Sequence, residues 1–598
     1  MASSTRKRKG REHRPNHWFD GAQADTWHSD APEEVVAAYL EGESHEGWEA
    51  WSDYLEAKHE QHPLEQRLPR GGRALAWYLP VALADSDTQN LIDQLGDRRA
   101  VSGRSKRRAW ADTAADWLDD AAIAPASLPH AYECLAWAYA LPRLPNCLGE
   151  NLWWKLLNYL LEQTREAVQQ VGNAGANDTL LTQLTAGELP VALAFALSQL
   201  QPCHELAAAG WNTLAEGVNH LVDADGLPPQ TQLEIFPAQV MVWQRALAML
   251  PKVPSESWTE ATSQRVELAL VHLARTTPVE PNFWEACRQL PLGKKTLRLA
   301  KQAAAGELWQ NESKGLPLPS LHSEAHRYGT LRTDWNTSAT RIAIDYSTDT
   351  VAWELATRGE VIGSGIWQLE VEIDGQPRSL TGPWETVCWN SDDDVDFLEI
   401  EATLGEGTRV QRQILLARQD QLLLLADVVL CDVPREIVCR STLPLSPQVG
   451  FHGAEETREG LLQGNRARLL ALPLALNEWR GTGRRGSLEV TPAGMVLEQT
   501  HSGKAAYAPL FIDLDRNRAK KACTWRQLYV ADGRQHQPHD VAVGYRVQVG
   551  RTHWLVYRSL AERGMRSVLG QHVSAEFLFG RMKDDGDCSR LLEIEPIE

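Results

Sequence analysis

GWNTLAEGVNHLVDADGLPPQTQLEIFPAQVMVWQRA, residues 210–246, is the stretch from which the rest of the chain can be read. Leu214, Val218 and Leu221 recur at helical spacing before its middle, and Val240, Trp243 and Leu247 do so after it. Each flank therefore buries an apolar stripe as a helix. Between them, DADGLPPQTQLEIFPAQ is too polar and too broken by proline to continue either helix. The pattern predicts a loop on a helical scaffold, the setting in which binding and catalytic groups concentrate.

Outward from this pair the helical period persists from about Ala31 to Gly315, through AYECLAWAYAL from Ala131, ENLWWKLLNYLLEQTREAVQQ from Glu150, LPVALAFALSQL from Leu189, SQRVELALVHLART from Ser263 and KKTLRLAKQAAAG from Lys294. Short joins marked by Pro, Gly or Asn make antiparallel helical hairpins of them. No fixed-period repeat is visible, which leaves a bundle, an irregular solenoid or a toroid of hairpins. At LPLPS, residues 316–320, the period changes from helical to alternating. ATRIAIDYS, TVAWELATRG, IWQLEVEIDG, VDFLEIEATLG, TRVQRQILLARQ and QLLLLADVVL follow with turn residues between them, and similar segments run to about Ala561. So many short strands predict a large antiparallel β-sandwich with two facing sheets. The expected organisation is a basic disordered tail over residues 1–30, a toroid-like α/α helical domain over 31–315 and a β-sandwich over 316–598.

Length and composition narrow the function classes. A chain of 598 residues exceeds what one core holds. A net charge of −19 argues against general nucleic-acid binding, leaving only a local basic cleft for a polyanion. The 23 tryptophans supply core filler and, secondarily, sugar-stacking surfaces. Nine cysteines without CxxC spacing read as reduced thiols. No apolar run reaches the ~20 residues of a membrane span. MASSTRKRKGREHRP is positive but lacks a following apolar segment, so no export signal is visible and the cytoplasm is the default expectation.

A helical half followed by a wholly antiparallel β half, with Asp225-Gly226 and then Glu234-Ile235-Phe236-Pro237-Ala238-Gln239, resembles the heparinase II/III-like group of polysaccharide lyases. In that group an Asp-Gly pair precedes E-x-S-P-x-Y. RTDWNTSATRIAIDYS from Arg332, ATRGEVIGSGIWQLEVEIDG from Ala356 and TRVQRQILLARQDQLLLLADVVL from Thr408 look like successive strands of its sandwich. The likeness spans roughly residues 130 to 560 and implies an incomplete (α/α) toroid joined to a sandwich. It also implies β-elimination from a uronate polysaccharide: a Tyr or His removes the C5 proton, Asn, His or Arg neutralises the carboxylate, and a Tyr protonates the leaving oxygen. Glu234 and Pro237 match the motif, whereas Gln239 stands at its Tyr and Phe236 at its Ser. An amide is no acid or base at neutral pH. The group's sandwich contributes a His near its early strands. Here no His lies between Arg327 and Phe451, and the equivalent turn is Tyr346-Ser347-Thr348-Asp349.

The candidates that remain gather at LPSLHSEAHRYGTLR. His326 and Tyr328 are the catalytic candidates, with Asn177, Glu234, Gln239, His322 and Arg327 as substrate-binding ones. Each also has a plainer reading: a polar linker for the His322–Tyr328 group, a helix N-cap for Asn177-Asp178, a solvated loop carboxylate for Glu234. His536 and His539 have metal-site spacing but no third ligand, and Asp392–Asp396 lacks the glycine of a calcium loop. Neither a metal nor a cofactor is expected. Arg480, Arg484 and Arg485 form a basic hairpin tip suited to anionic groups or to guarding a sheet edge. These readings predict a protein that binds an anionic polysaccharide or oligosaccharide and cleaves it as a lyase. A degenerate carbohydrate-binding or interaction scaffold and a glycoside hydrolase on a related toroid remain open alternatives.

Overall fold

The computed structural model describes residues 19–58, 85–96, 104–276 and 318–595, except 43, 124, 175–178, 234, 337, 406, 482–485, 563 and 584–585. The basic tail to residue 18, the helix expected from Lys294, Asn177, Glu234, Arg484 and Arg485 thus lie outside the described residues. Two compact units separate at Leu273/Ala274. Among the described residues no helix is long and apolar enough to cross a membrane.

The first unit is helical. Its principal helices are Leu128–Ala140, Glu150–Ala174, Leu189–Ala196, Gln201–Leu221, Phe236–Met249 and Glu260–Thr276. Tryptophan fills its core, with Trp51, Trp137, Trp153, Trp154, Trp211 and Trp243 fully buried. The chain's early part joins this core: Trp27 packs edge-on against Trp51 and Trp154, and Asn158 is bonded to both backbone polar groups of Phe19. The helix after the opening loop starts earlier than its sequence pattern suggests, at Phe236, with Pro237 in its first turn. There proline's missing N–H costs nothing, because that donor has no intrahelical acceptor. A π-helical segment, Gln183–Glu188, leads into Leu189–Ala196. Pro190 cannot donate to the Ala186 carbonyl, which removes one rung of the regular ladder at this point.

The second unit is antiparallel in every strand pairing described. An 11-stranded sheet is built on the long strands Leu422–Leu443 and Gly494–Asp513, paired from Leu422 opposite Asp513 to Leu443 opposite Met495. Its buried residues alternate between two cores. Leu423 and Leu425 share one with Ile342, Ile344 and Trp353 of a five-stranded sheet; Leu422 and Leu424 share the other with Val547, Trp554 and Val556 of a second five-stranded sheet. The large sheet is therefore covered on both faces, a third layer beyond the two facing sheets expected. This is why LLLL at 422–425 is apolar without alternation. The fold class is a helical region followed by a large antiparallel β-sandwich.

Candidate functional site

In the helical unit the polar side chains turn inward. Asp223 accepts from the backbone N–H groups of Asp225 (3.0 Å) and Leu227 (2.9 Å), closing the Asp225-Gly226 turn. Gly226 has φ +79°, and a Cβ there would sit 2.7 Å from the Ala269 backbone nitrogen. The glycine is thus required by packing against Glu260–Thr276. Gln239 is only 3% exposed, and its Nε2 has no hydrogen-bond partner among the described residues. Further along the same helix, Arg245 meets Glu188 through two bonds of 2.6 and 2.7 Å, and Tyr139 donates to the same carboxylate at 3.0 Å. Burial works against the Arg245 charge, but Glu188 holds the guanidinium protonated. Gln183 accepts from the Trp243 indole at 3.0 Å and donates to the Thr213 carbonyl at 2.8 Å. Gly217 leaves the space it fills, since a Cβ would fall 2.1 Å from the Gln183 amide.

In the sandwich unit a different group has a half-buried rim around a fully buried phenol, that of Tyr346. Leu321–Ser323 is the outer strand of the first five-stranded sheet and Glu385–Ser391 an outer strand of the 11-stranded sheet. His322 pairs across Gly329, which in turn faces Ile344 on the strand Arg341–Asp345. Because Gly329 places no side chain on that face, the imidazole reaches over it to Tyr346, two residues beyond Ile344. His322 Nε2 lies 2.6 Å from the Tyr346 hydroxyl, which is 2.7 Å from Thr386 Oγ1. Trp389 stacks on the imidazole with ring centroids 5.0 Å apart.

Burial pushes the His322 pKa down to about 4, so the ring is neutral at neutral pH. Burial pushes Tyr346 up to about 12; the Thr386 hydrogen bond and the Arg327 charge oppose that rise, and Glu324 and Asp345 add to it. With a neutral imidazole and a single phenolic proton, both short contacts are satisfied when Tyr346 donates to Nε2 and Thr386 donates to the phenol oxygen. The two groups thus share one hydrogen-bonded proton.

Arg327, at the hairpin turn with φ +56°, is half-buried and pairs with no carboxylate among the described residues. His322 and Arg327 of the sequence-derived group therefore do gather around one phenol, that of Tyr346. Tyr328 is fully buried within its strand. His326 lies in the turn, its backbone N–H donating to Ser323 Oγ at 3.2 Å. Thr386 and Trp389 carry no local signal; they belong to the 11-stranded sheet, and only its packing against the five-stranded sheet brings them here. Elsewhere, Asp392 caps its own turn by accepting from the N–H groups of Asp394 (2.9 Å) and Val395 (2.8 Å), while Asp396 is buried against Arg418 and Ser320. Arg480 donates to the Thr457 carbonyl at 2.8 Å beside the exposed Trp479. Among the described residues no group of three or more His, Cys, Asp or Glu side chains could hold a metal ion.

With this geometry in place, the chain is similar to a heparan sulfate lyase, HepC, from Pedobacter heparinus, with TM-score 0.59 and 12% identity over 91% of this chain and 100% of that one. The fold is that of heparinase III structures. One heparinase III gene product gives TM-score 0.58 at 12% identity, covering 91% of this chain and 100% of that one. Another heparinase III gives 0.55 at 10%, covering 90% and 100%. No sequence-family profile and no curated protein matches the chain. At such identities the likeness is one of architecture.

Proposed function

We propose that the protein binds an anionic, uronate-containing polysaccharide or oligosaccharide and cleaves it by β-elimination, with His322 and Tyr346 as the proton-transferring pair. The observation that carries this reading is the 2.6 Å contact between His322 Nε2 and the Tyr346 hydroxyl, on a fold shared with structures named as heparan sulfate lyase and heparinase III. Arg327 neutralises the uronate carboxylate, which acidifies the C5 proton. Trp389 offers a partly exposed indole face to a sugar ring. As Tyr346 turns its proton toward the glycosidic oxygen, the Nε2 lone pair is freed to take the C5 proton. The C4–O bond breaks, the leaving oxygen receives the phenolic proton, and a C4–C5 double bond forms. Transfer from the imidazolium to the phenolate then restores both groups.

A second reading, a binding scaffold without turnover, is favoured by Gln239, an unreactive and buried amide at the position of the resembled motif's tyrosine. Incubation with heparan-, alginate- and pectin-type polymers, following absorbance of the unsaturated product, separates the two. Product lost in Tyr346→Phe supports the lyase. Binding without product from any uronate polymer establishes the scaffold, and new reducing ends without unsaturation establish a hydrolase in its place.

A further inference from the structure

The helical unit contains a pocket that plays no part in the chemistry above. It lies between the helices Leu128–Ala140 and Glu150–Ala174 and the segment that opens the π-helix, and has a volume of about 210 Å³. That is somewhat more than the ~150 Å³ that holds one benzene ring, so its scale is a single substituted six-membered ring. Its apolar surface comes from Ala131, Ala167 and Leu189.

Its polar surface comes from Gln163, Glu166 and Gln170 on one helix, spaced to share a face, from Thr182 and Thr185 opposite, and from Ser127 and His130, whose pKa burial lowers. Thr185 donates its own proton to the Leu181 carbonyl at 2.9 Å, which leaves its oxygen to accept from a ligand. The two glutamine amides donate and accept side by side, and the Glu166 carboxylate accepts from two neighbouring hydroxyls at once. No lysine or arginine lines the pocket. A ligand suited to it has an apolar face, a rim of adjacent hydroxyls and no negative charge.

We propose that this pocket is a binding site for one neutral pyranose, separate from the uronate-directed site on the sandwich. The reasons are the ring-sized volume, the apolar floor with amide and hydroxyl walls, and a lone carboxylate with no balancing cation. A uronate is disfavoured by the same features, because its charge would be repelled by the exposed Glu166 carboxylate.

The full-length chain is titrated calorimetrically with the methyl glycosides of glucose, galactose and mannose, and with methyl glucuronide. One or more neutral glycosides bind at one site, glucuronide binds at least tenfold more weakly, and Glu166→Gln weakens the neutral ligand by roughly tenfold, the worth of one charge-assisted hydrogen bond. Thr182→Val, a partly exposed change with little bearing on folding, weakens it by a smaller factor. Unchanged thermal unfolding of both variants separates lost contacts from lost structure. Absence of heat with every neutral glycoside overturns the proposal, as does glucuronide binding as tightly as the neutral sugars, or affinity indifferent to both substitutions in folded protein.

Discussion

The helical unit and the sandwich unit both bring polar side chains together, but they treat water in opposite ways. Around the π-helix, Glu188 pairs with Arg245, and Gln183 with Trp243 and the Thr213 carbonyl, inside a tryptophan-rich core. At the sandwich's outer strands, His322 and Thr386 meet the buried Tyr346 phenol and Trp389 stacks on the imidazole, and these three stay half-buried, as does Arg327, whose carbonyl accepts the Tyr346 N–H. Closed polar networks hold structure together, whereas chemistry needs organised atoms that a substrate can reach. On that distinction the proposed chemistry is assigned to the sandwich, where His322 rather than the buried Tyr346 phenol is the group open to solvent. The sharpest way to break the comparison is Glu188→Ala, which strands a buried guanidinium and is expected to cost about 3–5 kcal/mol in urea unfolding of the full chain. Replacing both partners, as Glu188→Leu with Arg245→Met, is expected to recover most of that. A loss under ~1 kcal/mol for Glu188→Ala alone would mean that the pair is solvated and the helical site open.

Next in size is His322→Gln, which keeps a polar side chain near Tyr346 but removes the base. Unsaturated-product formation is expected to fall about a hundredfold with KM little changed, while thermal unfolding stays close to the parent's. A fall in stability with no fall in turnover would return His322 to a structural role.

The pH dependence sharpens the same point with a smaller effect. Burial depresses the His322 pKa to about 4 in the folded chain, against 6.5 for a free imidazole. Between those values the unfolded chain binds a proton that the native one refuses, so stability is fully present above about 6.5 and is lost as pH falls toward about 4. The expected contribution is about 1–2 kcal/mol after allowing for partial solvent exposure. Urea midpoints at pH 7 and pH 4.5 measure it, and His322→Gln is expected to flatten the difference; an equal slope in parent and variant would assign the acid sensitivity to other groups.

How far the sequence reached follows from where each kind of information resides. Leu214, Val218 and Leu221 announce their helix because a 3.6-residue period is local. The run at 422–425 announces a strand, but only its lack of alternation hints at cover on both faces. His322 is legible in the sequence as a substrate-binding candidate, and Tyr346 only as the start of a turn. That they touch is not, because the bond spans 24 residues and depends on the register across Gly329. Thr386, a further 40 residues on, lies in the other sheet and is brought in by packing of one sheet on the next. The identity of Gln239 was plain in the sequence. Its burial was not, since a loop reading hides the fact that Phe236–Met249 already encloses it in a helix.

Gln239 accordingly carries the smallest expected effect and the finest test. A buried amide whose nitrogen lacks a partner gives away hydrogen-bond energy that a thioether of similar volume would not. Gln239→Met is therefore expected to leave stability unchanged or raise it by up to ~1 kcal/mol, with polysaccharide affinity and any product formation within twofold of the parent. If Gln239→Met instead abolished binding in a folded protein, the amide would have to reach the ligand despite its burial. The helical unit would then open on engagement, and the contrast between a closed helical core and an open sandwich site would hold only for the unliganded chain.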